Sequence, residues 1–160
     1  MLNAISNTSP LLYLYRIEAI EFLPKLFGKI LIPMAIVDEL EVGKKKGFDV
    51  PHVKEYKWLR IENPRNMPSE WLSLDLGPGE LSVLALAFEK KDYIVLLDDS
   101  LARRTAKTAG LRVWGTLRIL LEAKSKGMIK KIEPYVQRLS KSGMWLSDEI
   151  RQRILNLAGE

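Results

Sequence analysis

The sequence predicts an α/β fold built on a parallel sheet. Short, wholly apolar runs alternate along the chain with longer segments of helical spacing. The strongest run, Tyr93 to Leu97, has no polar residue inside it, as a strand buried on both faces requires. Glycine and proline punctuate the boundaries between the two kinds of segment.

A short first strand is predicted over about Leu2 to Ser6. Helical spacing follows from about Pro10 to Phe27, as two helices broken near Glu18. Ile30-Leu31-Ile32 is a compact second strand. Pro33 then suits the first position of a helix running to Gly43, after which Gly43-Lys44-Lys45-Lys46-Gly47 reads as a solvated turn. Trp58 to Ile61 is a weaker strand. The Gly77-Pro78-Gly79 turn precedes a helix over about Glu80 to Lys90, with Leu81, Leu84, Ala85 and Phe88 as its expected buried stripe. Tyr93 to Leu97 is followed by three candidate caps, Asp98, Asp99 and Ser100, for a helix to about Ala109, stopped by Gly110. Leu111 to Trp114 is a fifth strand. Helices are expected over Thr116–Lys126, Lys130–Ser142 and Asp148–Leu157, the last with Ser147 as N-cap.

Composition narrows the chemistry. The 160 residues suffice for one domain, and 47% hydrophobic against 28% charged is a globular balance. Residues 1–160 are therefore read as one domain, with the C-terminal helices of about 130–157 packing on it or on a partner subunit. There is no cysteine, which excludes disulfides, zinc–thiolate centres, iron–sulfur clusters and thiol catalysis. The one histidine, His52, rules out a multi-histidine metal site. Neither a signal peptide nor a membrane span is expected, so a cytoplasmic location is. The formal charge of +5 suits nucleic acid or an acidic partner, and equally a merely soluble surface.

In open parallel sheets, sites form at the carboxyl ends of strands. Asn7 follows the first strand, with Thr8 and Ser9 beside it. Asp98 and Asp99 follow the strongest one. Glu39 lies in the second turn of the helix after strand two, and Glu80 opens the helix after Gly-Pro-Gly. Taken singly, each acid has a plain structural employment as a cap, a helix-dipole partner or a surface carboxylate. Taken together they carry chemistry. Two unit charges ~4 Å apart repel by about 4 kcal/mol at an effective dielectric near 20. A cleft gathering several carboxylates therefore needs a cation. Oxygen-only donors favour Mg²⁺ or Mn²⁺, and a hard divalent ion on a basic protein points to phosphodiester chemistry.

Leu101 to Lys131 is rich in base, with Arg103, Arg104 and Lys107 directly after the aspartates. That stretch reads as a phosphate-tracking surface or as the solvated faces of amphipathic helices. Trp58, Trp71, Trp114 and Trp145 offer faces for base stacking, although core or interface packing is the commoner use of tryptophan. Leu76 to Ser82 is no P-loop, because the closing Gly-Lys-Ser/Thr is missing and proline removes an amide donor. The first-strand nucleophilic carboxylate of haloacid-type phosphatases is also missing.

These pieces, in their order and spacing, resemble the PIN-domain family, in the branch related to toxin ribonucleases of virulence-associated-protein C type. They are Ile5-Ser6-Asn7-Thr8-Ser9-Pro10, Ile32-Pro33 leading to Val37-Asp38-Glu39-Leu40, Gly77-Pro78-Gly79-Glu80, Leu96 to Arg103, and Gly110 to Val113 with Gly115-Thr116-Leu117. The resemblance implies a three-layer α/β/α sandwich around a parallel sheet of about five strands. It also implies an Mg²⁺- or Mn²⁺-dependent endoribonuclease. It places the acidic ligands at Asn7, Glu39, Glu80 and Asp99, with Asp98 as neighbour, Thr8 or Ser9 as supporting hydroxyl, and Arg103, Arg104 and Lys107 toward RNA. An antitoxin protein and a homodimer are further implications. The family's usual first-strand aspartate is here Asn7, which adds no charge and cannot act as a base. The alternative expectation is therefore a weakened or inactive module that binds RNA or protein.

Overall fold

The computed structural model describes all 160 residues. Five parallel strands, β1 (Ala4–Ser6), β2 (Ile30–Ile32), β3 (Leu59–Ile61), β4 (Ile94–Leu96) and β5 (Arg112–Trp114), form one sheet in the order β3-β2-β1-β4-β5. The three inner strands are buried at every position: β2 and β4 are wholly apolar, and the one polar residue, Ser6 of β1, donates its hydroxyl to Asn7 O at 2.9 Å. The edge strands β3 and β5 are partly exposed and carry Arg60 and Arg112. Helices flank the sheet, giving the α/β/α sandwich expected from the sequence.

Eight helices complete the chain: α1 (Thr8–Arg16), α2 (Phe22–Leu26), α3 (Met34–Lys45), α4 (Pro78–Glu89), α5 (Ser100–Thr108), α6 (Thr116–Ser125), α7 (Glu133–Lys141) and α8 (Asp148–Leu157). The break between α1 and α2 falls at Glu18, the one non-glycine residue with positive φ (60°). α3 runs beyond the expected stop at Gly43 to Lys45, because Gly47 (φ 87°), not Gly43, takes the left-handed conformation that ends it. Short 3₁₀ turns at Val53–Glu55 and Ser69–Ser73, which carry no sequence signal, lead into β3 and α4. No helix is long and apolar enough to cross a membrane.

The expected stripe on α4 needs correction. Val83, Leu84, Ala85, Leu86 and Ala87 are all buried, whereas Leu81 is half-buried and Phe88 is exposed. The helix lies against β1 and β4 and is flanked by α3 and α5, so burial extends around most of its circumference. Phe88 instead meets Trp71 edge-on, with ring centroids 5.6 Å apart.

One hydrophobic core runs from β1 to the last helix. Val136 and Leu139 of α7 and Ile154 of α8 belong to it, and Phe22 of α2 packs on Tyr135 of α7 at 5.7 Å. Residues of the C-terminal helices thus share the core of the sheet domain. Each fully buried Leu or Ile contributes roughly 1.5–3 kcal/mol relative to exposure. A polar tie adds to this. The Glu160 carboxylate accepts from Lys124 Nζ (2.9 Å) and from the backbone N–H groups of Ile132 (2.8 Å) and Glu133 (3.2 Å). It closes the N-terminus of α7, where four amides lack helical partners.

Desolvation pulls the Glu160 carboxyl upward, but the Ile132 amide, Lys124 and the Glu133 amide outweigh it and hold the group below its usual value. A depressed folded-state value stabilises the fold above the ordinary glutamate range, and that stabilisation is lost as pH falls through the depressed value. Glu160→Ala is expected to cost about 1 kcal/mol at pH 7, the scale of a lost helix cap. Urea denaturation from pH 7 to pH 3 checks this, the difference from wild type shrinking toward the acid end.

Candidate functional site

Strand order creates the site. β1 and β4 are neighbours with Ser6 opposite Leu96, so the chain leaves both strands at the same edge. From β1 the next strand lies to one side, at β2, and from β4 it lies to the other, at β5. The crevice of an open parallel sheet forms at such a reversal. Asn7 is held there by its own N–H donating to Leu96 O at 3.0 Å. Asp98 and Asp99 leave β4 two and three residues beyond Leu96.

A cavity of about 1080 Å³ opens at this edge. Its acidic end is lined by Asn7, Ser9, Glu80, Asp98 and Asp99. Asn7 is buried (5% exposed) and its Oδ1 has no hydrogen-bond partner. Leaving a buried acceptor unpaired costs roughly 1–3 kcal/mol, so the atom calls for a water, an ion or a ligand.

The two aspartates have separate employments. Asp98 is braced: Oδ1 accepts from Thr116 N at 2.8 Å and Oδ2 from Thr116 Oγ1 at 2.7 Å. Burial raises its carboxyl above the usual range, against the opposing pull of the two Thr116 bonds and the nearby Arg103. Asp99 is the N-cap of α5, with Oδ2 accepting from Ala102 N at 2.8 Å. It is the more exposed of the pair, and the cap leaves its second oxygen without a hydrogen bond.

Gly79 brings Glu39 to α4. Thr8 Oγ1 donates to Glu39 Oε2 at 2.5 Å, tying the start of α1 to α3. The other oxygen of Glu39 lies against Gly79, where a Cβ would collide with it. Glu80, the next residue, folds its carboxylate back over Gly77, with Oε2 2.7 Å from the position a Cβ would take there. The Gly-Pro-Gly turn thus does more than set Glu80: its second glycine makes room for Glu39. Glu39 itself does not line the cavity, and no three acidic or histidine side chains stand together at metal-holding distance. The fold brings Asn7, Glu80, Asp98 and Asp99 to one cavity and places Glu39 behind the α4 N-terminus.

Of the basic residues, Arg103 is half-buried and turned inward, its Nη1 donating to Leu97 O at 3.4 Å beside Asp98. Arg104 and Lys107 are exposed on the cavity wall. Arg118 joins that wall, with its guanidinium 5.0 Å from the Trp114 ring centre and its Nε 3.0 Å from Glu122. Sequence reading gave Gly79 as part of a turn but not as the clearance for Glu39, which arises only from a contact between distant segments.

The family model described as DUF3368, a PIN domain, matches residues 3–160. The chain belongs to the PIN-domain family. No curated protein matches it. Among solved structures it is similar to a PilT N-terminus domain protein, SSO1118, from the hyperthermophilic archaeon Sulfolobus solfataricus P2. That likeness has 16% sequence identity and a TM-score of 0.52, and covers 91% of this chain and 98% of the other. It supports the fold. PIN domains are a family of nucleases that typically use divalent metal ions, so a nuclease-type function follows at family level. The donors of this PIN domain fit such an ion in kind: all are oxygens, and the buried Asn7 Oδ1 is an acceptor without a donor.

The Gly79 contact can be tested without any activity. Thr8→Val should cost about 1 kcal/mol by removing the bond to Glu39. Gly79→Ala should lose the same bond, because Glu39 is a flexible side chain that swings away, a loss that alanine's better helix propensity offsets in part. In the Gly79→Ala background Thr8→Val should then cost almost nothing more. Denaturation of the two single variants and the double variant measures this coupling, and full additivity would refute it.

Proposed function

We propose that this PIN domain is a metal-dependent endoribonuclease that hydrolyses phosphodiesters of single-stranded RNA, with Mg²⁺ or Mn²⁺ as its ion. The observation that carries the proposal is the unpartnered, buried Asn7 Oδ1 facing the same cavity as Glu80 and Asp99. Asn7, Glu80 and Asp99 would hold the ion, with Glu39 as a further carboxylate tethered by Thr8. When bound, such an ion lowers the pKa of a coordinated water and neutralises charge on the phosphate.

The chain's own groups do the rest. Asp98, fastened by both Thr116 donors, fixes the β4–α5 turn and so the place of Asp99. Arg103 balances the charge of Asp98 and is a positioning residue. Arg104 and Lys107 reach phosphates along the cavity wall. The Ser9 hydroxyl, beside Asn7 on the lining, can donate to a phosphate oxygen. The resemblance to virulence-associated toxins adds a role within a toxin–antitoxin pair, with an antitoxin over the acidic cleft, and a cytoplasmic homodimer.

A second reading has its own observation. Asn7 supplies no charge and both oxygens of Asp98 are engaged, which leaves a poor acidic set. On that reading the protein binds RNA or a protein without cleaving.

Incubation of an unstructured RNA with the purified protein separates the two. The nuclease reading expects cleavage with Mn²⁺ or Mg²⁺, none in EDTA, and a loss of at least about 100-fold in Glu80→Gln, the scale of losing one electrostatic contributor to the transition state. Cleavage that persists in EDTA or in the variant, or no cleavage with either ion, contradicts it.

A further inference from the structure

We infer that Trp145 is a stacking platform for an unpaired base of the strand that lies in the cavity, an inference resting on the nucleic-acid reading of that cavity. The other three tryptophans are employed within the fold. Trp71 is buried against Phe88, Trp58 packs on Tyr56 at 5.3 Å, and Trp114 packs on Phe27 at 5.4 Å. Trp145 is 81% exposed and pairs with no aromatic ring, yet it lines the cavity. Its backbone is not loose. Met144 and Leu146 on either side pack against the core, Met144 N donates to Leu139 O at 3.1 Å, and Ser147 caps α8 by accepting from Ile150 N at 3.1 Å. A fixed backbone therefore carries a large apolar ring into water at the rim of a cleft lined by polar and apolar residues in about equal number.

The surroundings identify the occupant. The acidic residues Glu80, Asp98 and Asp99 mark one end of the cavity, while Arg104, Lys107 and Arg118 share its wall with Trp145. An exposed aromatic among cations is the arrangement that binds single strands, the cations tracking phosphates and the ring taking a base. The volume, about 1080 Å³, slightly exceeds the ~300–1,000 Å³ of pockets for drug-sized ligands, so more than one nucleotide fits. A second copy of this chain is the competing occupant for an exposed tryptophan. A two-fold interface buries the same patch of both copies, which would gather the Arg104, Lys107 and Arg118 cations of two chains, each of net charge +5, into one seam. Charge therefore favours the polyanion.

Fluorescence anisotropy of a short, labelled, unstructured RNA, titrated with the protein in EDTA, reads binding apart from cleavage. Trp145→Ala should weaken binding about tenfold or more, Trp145→Phe should stay within about threefold of wild type, and neither should change the slope of affinity against salt. An RNA of the same length with abasic positions should bind wild type and Trp145→Ala alike. Equal binding of the intact RNA by wild type and Trp145→Ala overturns the inference, whether or not the protein cleaves with Mn²⁺. Conversion of a dimer to a monomer by Trp145→Ala in sedimentation also overturns it and assigns the ring to a second copy. Trp145-dependent binding without cleavage upholds it while removing the nuclease reading.

Discussion

The parallel pairing of β1 with β4 is the constraint on which the rest of the molecule depends. It sets Ser6 opposite Leu96, so Asn7 and the Asp98-Asp99 pair leave the sheet side by side. Sheet order makes this edge the reversal point, where helices diverge and a cavity remains. Both strands are buried on both faces, and a one-residue slip of either would swap its side chains between faces, misfit their packing and carry Asn7 or the aspartates off this edge. The position of the polar residues is thus enforced by apolar ones, and the cost of an unpaired Asn7 oxygen is borne by the core.

Within that frame the acidic residues divide their work. Asp98 spends both oxygens on Thr116 and anchors the turn into α6. Asp99 caps α5 with one oxygen. Glu39 is reached through a hydroxyl from Thr8 and a gap left by Gly79. Glu80 lies at the N-terminus of α4, where the helix dipole favours a carboxylate. Only some of the acids that sequence spacing draws to the same edge remain open to a ligand. The remainder hold the open ones in position.

β2 and β4 were legible because each is an apolar run too short for a helix and bounded by turn or polar residues, whereas Asn3 and Ser6 blur the ends of β1. Ser147 was legible as a cap because it stands just before the acidic first turn of α8. The end of α3 was not, since either Gly43 or Gly47 could stop a helix and only the packed structure selects one. The α4 stripe failed for a related reason. Periodicity assumes a helix with one wet face, and α4 is covered on most sides. Asn7 and Asp99 could be placed at a common edge from strand ends alone, but Glu80 follows a turn, and only the fold brings it to the same cavity. The employment of Asp98, the clearance at Gly79 and the exposure of Trp145 depend on residues distant in the chain, which no local pattern records.

In the proposed nuclease, oxygens of Asn7, Glu80 and Asp99 hold one cation at the β1–β4 edge. Anomalous diffraction from a crystal soaked in Mn²⁺ would show it. The expected result is a peak within coordination distance, ~2.1–2.3 Å, of Asn7 Oδ1 and at least one of the two carboxylates. A fully soaked crystal with no peak at that edge, or with its ion held by other residues, would contradict it.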